Sequence, residues 1–116
     1  MSTSLGSLQS QVIACRRCPR LVDYLHGLKT EHPDWWCRPV PGWGDPKARI
    51  FVVGLAPAAG GANRTGRMFT GDLSGGSGHW VYGILHELGL ANQPTSVSRH
   101  DGLKLKGVYI TAVARC

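Results

Sequence analysis

Four cysteines and one isolated carboxylate hold much of the chemistry this 116-residue chain can offer. Cys15 and Cys18 form a C-x-x-C pair, Cys37 stands between Trp36 and Arg38, and Cys116 is the last residue. In a reducing compartment such thiols serve as metal ligands or stay free rather than pair as disulfides. C-x-x-C with two further cysteines suits tetrahedral zinc. The carboxylate is Asp72, at the end of the stretch VVGLAPAAGGANRTGRMFTGD that starts at Val52. A carboxylate held there can orient a water or face a developing positive charge. Placed between Gly71 and Leu73, it also fits the simpler role of a turn or helix N-cap acceptor.

The elements that must position these groups are legible in outline. Apolar residues from Leu8 to Leu28 recur at helical spacing, with an interruption at Cys18–Pro19. HPDWWCRPVPGWGDPK, from His32, reads as an irregular segment pinned by aromatic rings. ARIFVVGLA is the clearest strand, and a glycine-rich loop follows it to about Gly78. In HWVYGILHELGL the residues Trp80, Ile84, Leu85 and Leu88 have helical spacing, and Gly89 is a stop. GVYITAVARC is a second strand. Strand, loop, helix and strand make a βαβ unit, hence an α/β fold with a parallel sheet covered by helices. Ligands of such sheets bind beyond the carboxyl ends of the strands, where the glycine-rich loop and Cys116 both emerge.

Bulk composition narrows the class. The chain is 42% hydrophobic and 17% charged, a globular balance within one domain. No apolar run approaches the roughly 20 residues that span a bilayer, and Met-Ser-Thr-Ser-Leu-Gly at the start is no secretory signal. A cytoplasmic, non-membrane protein is the expectation. Net charge is +6 and the isoelectric point is near 9.6, a balance that favours nucleic acid as partner or else marks a merely soluble basic surface. Arg16, Arg17 and Arg20 cluster beside the C-x-x-C pair, while Arg64 and Arg67 sit within the loop. The loop matches neither nucleotide-binding glycine pattern, so phosphate-cofactor binding is disfavoured.

PVPGWGD followed by VVGLAPAAGGANRTGRMFTGD resembles the family 5 (B-type) uracil-DNA glycosylases, iron–sulfur enzymes of bacteria and archaea. The resemblance runs from CRRCPRL to YITAVARC, nearly the whole chain. It implies a three-layer α/β/α fold with a central parallel sheet, of which residues 1–116 would be the N-terminal part of a single domain. It also implies a monomeric, monofunctional enzyme that hydrolyses the N-glycosidic bond of uracil, and of other deaminated or damaged bases, to leave an abasic site in DNA. Such enzymes take the target base out of the stack into a close-fitting pocket.

The resemblance distributes roles along the loop. Asp72 matches the family's proposed acid, beneath the sugar. Gly54, Leu55, Ala56, Pro57, Ala58 and Asn63 would form the base pocket, and Phe69 would stack on the flipped base; core packing is the alternative for Phe69. Arg16, Arg17 and Arg20 would meet the DNA backbone, and Arg64 and Arg67 would either bind flanking phosphates or brace the loop. Cys15, Cys18 and Cys116 would hold a 4Fe–4S cluster whose fourth ligand this chain lacks, with zinc as the alternative metal and Cys37 a free thiol or stand-in. Gly60 stands where the family commonly has His, Ala112 stands where sister classes place a base-reading Asn, and His79 has no family role. The family's later histidine and intercalating loop are missing, so the chain would be truncated at its C-terminus and weakly active or inactive alone. The rival reading is a non-catalytic, metal-stabilised module that binds nucleic acid through its basic face.

Overall fold

The computed structural model of the chain describes residues 4–71 and 76–116. Its first helical stretch divides in two, α1 (Leu5–Ile13) and α2 (Pro19–Glu31). Ser4 caps α1, its hydroxyl accepting from the Ser7 amide at 3.1 Å. Pro19 opens α2, where a missing N–H costs the helix nothing, and Cys18 precedes it as an extended N-cap residue. Among the described residues no helix is long and apolar enough to cross a membrane.

The remaining elements are β1 (Trp43–Gly44), β2 (Ile50–Gly54), α3 (Ala62–Thr65), α4 (Ser77–Glu87) and β3 (Val108–Ala112). β2 and β3 run parallel, Ile50 opposite Val108 through to Gly54 opposite Ala112. This is the crossover that the sequence predicts. The sheet as a whole departs from the expected parallel one, because β1 adds an antiparallel edge and the strand order is β1-β3-β2. Gly44 makes that pairing possible. It has φ +128°, and a side chain there would run into the Val108 carbonyl.

Alternation along β3 builds two faces. Val108, Ile110 and Ala112 enter the main core with Val40, Met68, Tyr82 and Leu85. Tyr109 points to the other face, where its ring lies 5.6 Å from that of Phe51 and its hydroxyl accepts from Gln9 of α1 at 3.0 Å. Helices thus flank the sheet on both sides. On α4 the buried positions are Gly78, Tyr82 and Leu85, spaced four and three residues apart. Trp80 and Leu88, which share the predicted helical stripe, are 65% and 66% exposed. Leu85 is the member of that stripe that reaches the core. Burying a side chain of its kind is worth about 2 kcal/mol. Gly89, at φ +76°, ends the helix as expected.

Candidate active site

The loop leaving β2 at Gly54 folds back on itself, and small residues decide how closely. Phe69 returns over Gly54: a Cβ at residue 54 would lie 2.9 Å from the phenyl ring. Phe69 itself takes φ +54°, a left-handed conformation that a bulky residue adopts only when its surroundings impose it. Its ring packs against the main core and also lines a cavity of about 80 Å³ with Ala56, Pro57, Ala58, Ala62 and Ser77. At ~30 Å³ per water, that is the space of two or three waters, on the scale of one flat ring. Four of the sequence-predicted pocket residues, Ala56, Pro57, Ala58 and Phe69, thus come together. Gly54 lies behind the ring.

Two predicted pocket residues stand elsewhere. Leu55 is 81% exposed, its carbonyl accepting from the Ala114 amide at 3.0 Å. Asn63 is fully buried, and its amide donates to the Cys116 carbonyl at 3.2 Å, which ties the loop to the chain's last residue. Its Oδ1 has no hydrogen-bond partner among the described residues. Ser77 and Met68 line the cavity without having been singled out in the sequence, where nothing distinguishes them. Asp72 lies outside the described residues.

What precedes Asp72 is closely held. Arg64 Nε donates to the Gly60 carbonyl and Nη2 to the Gly71 carbonyl, both at 2.7 Å, so one guanidinium ties together two loop positions 11 residues apart. Gly71 has φ +88°, and a Cβ there would meet that guanidinium at 2.5 Å. The Tyr82 hydroxyl donates to the Met68 carbonyl at 2.6 Å, and the Thr65 hydroxyl lies 3.1 Å from the Thr70 carbonyl.

Arg67, expected to bind phosphate or brace the loop, does the second. It is 5% exposed, pairs with Asp101 at 3.1 Å, donates to Ser96 and Thr70, and lies over the Trp43 ring at 4.4 Å. At 5% exposure and held by Asp101, Ser96 and Thr70, this guanidinium is turned into the protein rather than toward a DNA strand. Burial opposes the Asp101 charge. Even so, hydrogen bonds from the Val97 and Leu103 amides and from Arg67 hold the carboxyl below its usual range. Asp101 and Ser96 carry no local sequence signal for this role. Only the fold brings them to Arg67.

The cysteines form a second, separate grouping. Cys15, Cys37 and Cys116 line a cavity of about 90 Å³ near Leu25 and Pro39. Cys18 is exposed, and all four thiols are free. Burial pushes the Cys37 thiol up despite the Lys29 charge, and burial with the neighbouring Cys15 and Cys18 pushes up that of Cys116. Among the described residues no three His, Cys, Asp or Glu side chains gather closely enough to hold a metal ion. The sulfurs of Cys15, Cys18 and Cys116 share a neighbourhood without closing on one point. Arg16, Arg17 and Arg20 are exposed beside them, and Arg16 donates to His26 Nε2 at 2.9 Å.

The same region of the chain is similar to known proteins. The family model of the uracil DNA glycosylase superfamily matches residues 41–116, which take in the strands, the loop and α4. The chain is 51% identical over 111 residues to the type-5 uracil-DNA glycosylase of Pyrobaculum aerophilum, covering 92% of this chain and 48% of that protein. It is 48% identical over 120 residues to the Mycobacterium leprae protein of the same name, covering 97% and 51%. With the Thermus thermophilus one it shares 53% over 108 residues, covering 89% and 48%. The chain therefore spans about half the length of the curated relatives it matches. A glycine-rich loop at the carboxyl end of a parallel strand, folded around a ring-sized cavity, and a family match across that same region lead to one conclusion: the chain belongs to the uracil DNA glycosylase superfamily.

Proposed function

We propose that the chain serves in DNA repair as part of a glycosylase that hydrolyses the N-glycosidic bond of uracil, and of other deaminated or damaged bases, leaving an abasic site. Residues 1–116 belong in this reading to one glycosylase domain, which acts as a monomer on DNA in the cytoplasm. The observation that carries it is the union of Ala56, Pro57, Ala58 and Phe69 around one cavity, with Arg64 fastening the residue next to Asp72.

Chemistry follows from that arrangement. The C1′–N bond breaks, and its electron pair leaves with the base, so the sugar becomes cationic. The Asp72 carboxylate stabilises that cation and orients a water whose oxygen bonds to C1′. The water's proton passes to the carboxylate, and the departed base is protonated from solvent. The cavity wall encloses the base, and among the described residues its lining is apolar apart from Ser77, which suits broad base selectivity. Arg16, Arg17 and Arg20 meet the DNA backbone, while Arg64 keeps the loop in shape. Cys15, Cys18 and Cys116 are the candidate ligands of a 4Fe–4S cluster, which would draw α1, α2 and the chain's last residue together.

The test uses a duplex with a single uracil. The full-length protein is expected to yield a strand that breaks on alkali treatment, and a duplex left intact would overturn the reading.

A further inference from the structure

A larger opening, of about 630 Å³, adjoins the base cavity. The short helix α3 separates the two: Ala62 lines the smaller, Arg64 and Thr65 the larger. The larger one carries Lys29, Arg38, Arg64 and Arg99 against a single carboxylate, Asp34.

Its centre is one indole. The guanidinium carbons of Arg38 and Arg99 lie 4.1 and 4.4 Å from the Trp36 ring centroid. Trp36 is fixed in turn, its ring N–H donating to the Pro39 carbonyl at 3.2 Å and its backbone N–H to the Arg64 carbonyl at 2.9 Å. Gly66, at φ +81°, lets the ring approach: a Cβ there would lie 2.6 Å from the indole and 3.0 Å from Arg99 Cδ. Neither arginine has an acidic partner among the described residues, where the one ion pair is Arg67–Asp101. Partial desolvation against the indole and the charges of Arg38 and Arg67 pull Arg99 below the usual guanidinium range. Two planar cations held over one ring repel each other until an anion joins them.

We propose that this cleft is a phosphate-binding site for a nucleic-acid strand, with Arg38 and Arg99 as its phosphate ligands. Planar guanidinium forks match phosphate oxygens, and an aromatic platform that fixes them lowers the entropy lost on binding. Phosphate recognition stands on the cleft alone; only its register rests on the base-excision reading. A helix is about 10 Å across. With α3 between the two, the cleft therefore meets phosphates that flank a base lodged in the Phe69 cavity rather than the phosphates of that base itself.

The experiment titrates the full-length protein with a fluorescent oligothymidylate, free of uracil, over a range of potassium chloride concentrations. Each phosphate contact on a single strand contributes about 0.7 to the slope of log affinity against log salt. R38Q/R99Q is expected to flatten that slope by about 1.4, two contacts' worth. R38K/R99K, which keeps the charge, should retain the slope, and K47Q, in the turn before β2, should leave it unchanged. Both arginines are exposed, so their replacement spares the core. An unaltered slope in R38Q/R99Q, or no oligonucleotide binding by the parent, overturns the proposal. So does tighter capture of a polyglutamate peptide, which would assign the cleft to an acidic polypeptide. A flattened slope in a protein that leaves uracil in place keeps the cleft and discards base excision.

Discussion

Two tryptophans seven residues apart each carry arginine on the ring, and the two sites behave as opposites. At Trp43 the guanidinium of Arg67 is buried and paired with Asp101. At Trp36 two guanidiniums, Arg38 and Arg99, are exposed and have no carboxylate partner among the described residues. Stacking on indole is common to both, so stacking does not say what an arginine is for. The counter-ion does. Where the protein supplies the anion, the arginine is structural; where it supplies none, the arginine is left for a ligand.

That contrast has measurable consequences in urea unfolding. The largest belongs to Arg67→Met, which leaves the Asp101 carboxylate unpaired at 12% exposure; a loss of about 3 kcal/mol is expected. Equal losses from Arg67→Met and Arg99→Met would erase the distinction. Next comes Gly54→Ala, whose Cβ would press on the Phe69 ring at 2.9 Å and should cost about 2 kcal/mol. Arg99→Met or Arg38→Met removes a cation over a ring at an exposed site and should cost under about 1 kcal/mol.

A smaller effect separates the sites by pH. The Asp101 carboxyl is held below the 3.8 it would otherwise have. Its contribution to stability is therefore complete above the unfolded value and is lost as pH falls through the lower, folded one. Asp45, held down by the Gly107 and Lys47 amides, contributes in the same acid window. The D101N variant should lose part of the parent's stability decline below about pH 4, and R38Q/R99Q should follow the parent throughout. An unchanged acid decline in D101N would place the sensitivity elsewhere.

Much of the frame was readable from residue order alone. β-branched runs give β2 and β3, Pro19 divides the first helical stretch, and Gly89 stops α4, because each is a local preference. β1 and α3 escaped, being two and four residues long, and their form depends on contacts with β3 and the returning loop. On α4, spacing identifies a helix but not which apolar stripe faces inward. Tyr82 is buried because its hydroxyl finds the Met68 carbonyl, a partner 14 residues away. Arg64 and Arg67 look alike as loop cations. What separates them is Asp101, 34 residues beyond Arg67, which no local pattern reveals. Ala56, Pro57, Ala58 and Phe69, grouped by their place in one loop motif, do line one cavity, whereas the burial of Asn63 against the Cys116 carbonyl has no local signal.

The central claim is that the loop presents Asp72 to the sugar of a flipped nucleotide. Single-turnover release of uracil from duplex DNA, compared between the full-length protein and its D72N variant, tests it most directly. The account predicts a rate at least ~100-fold lower in the variant, with DNA affinity unchanged. Release by D72N at the parent rate would contradict it, and would leave a nucleic-acid-binding module whose basic cleft, rather than its carboxylate, is its function.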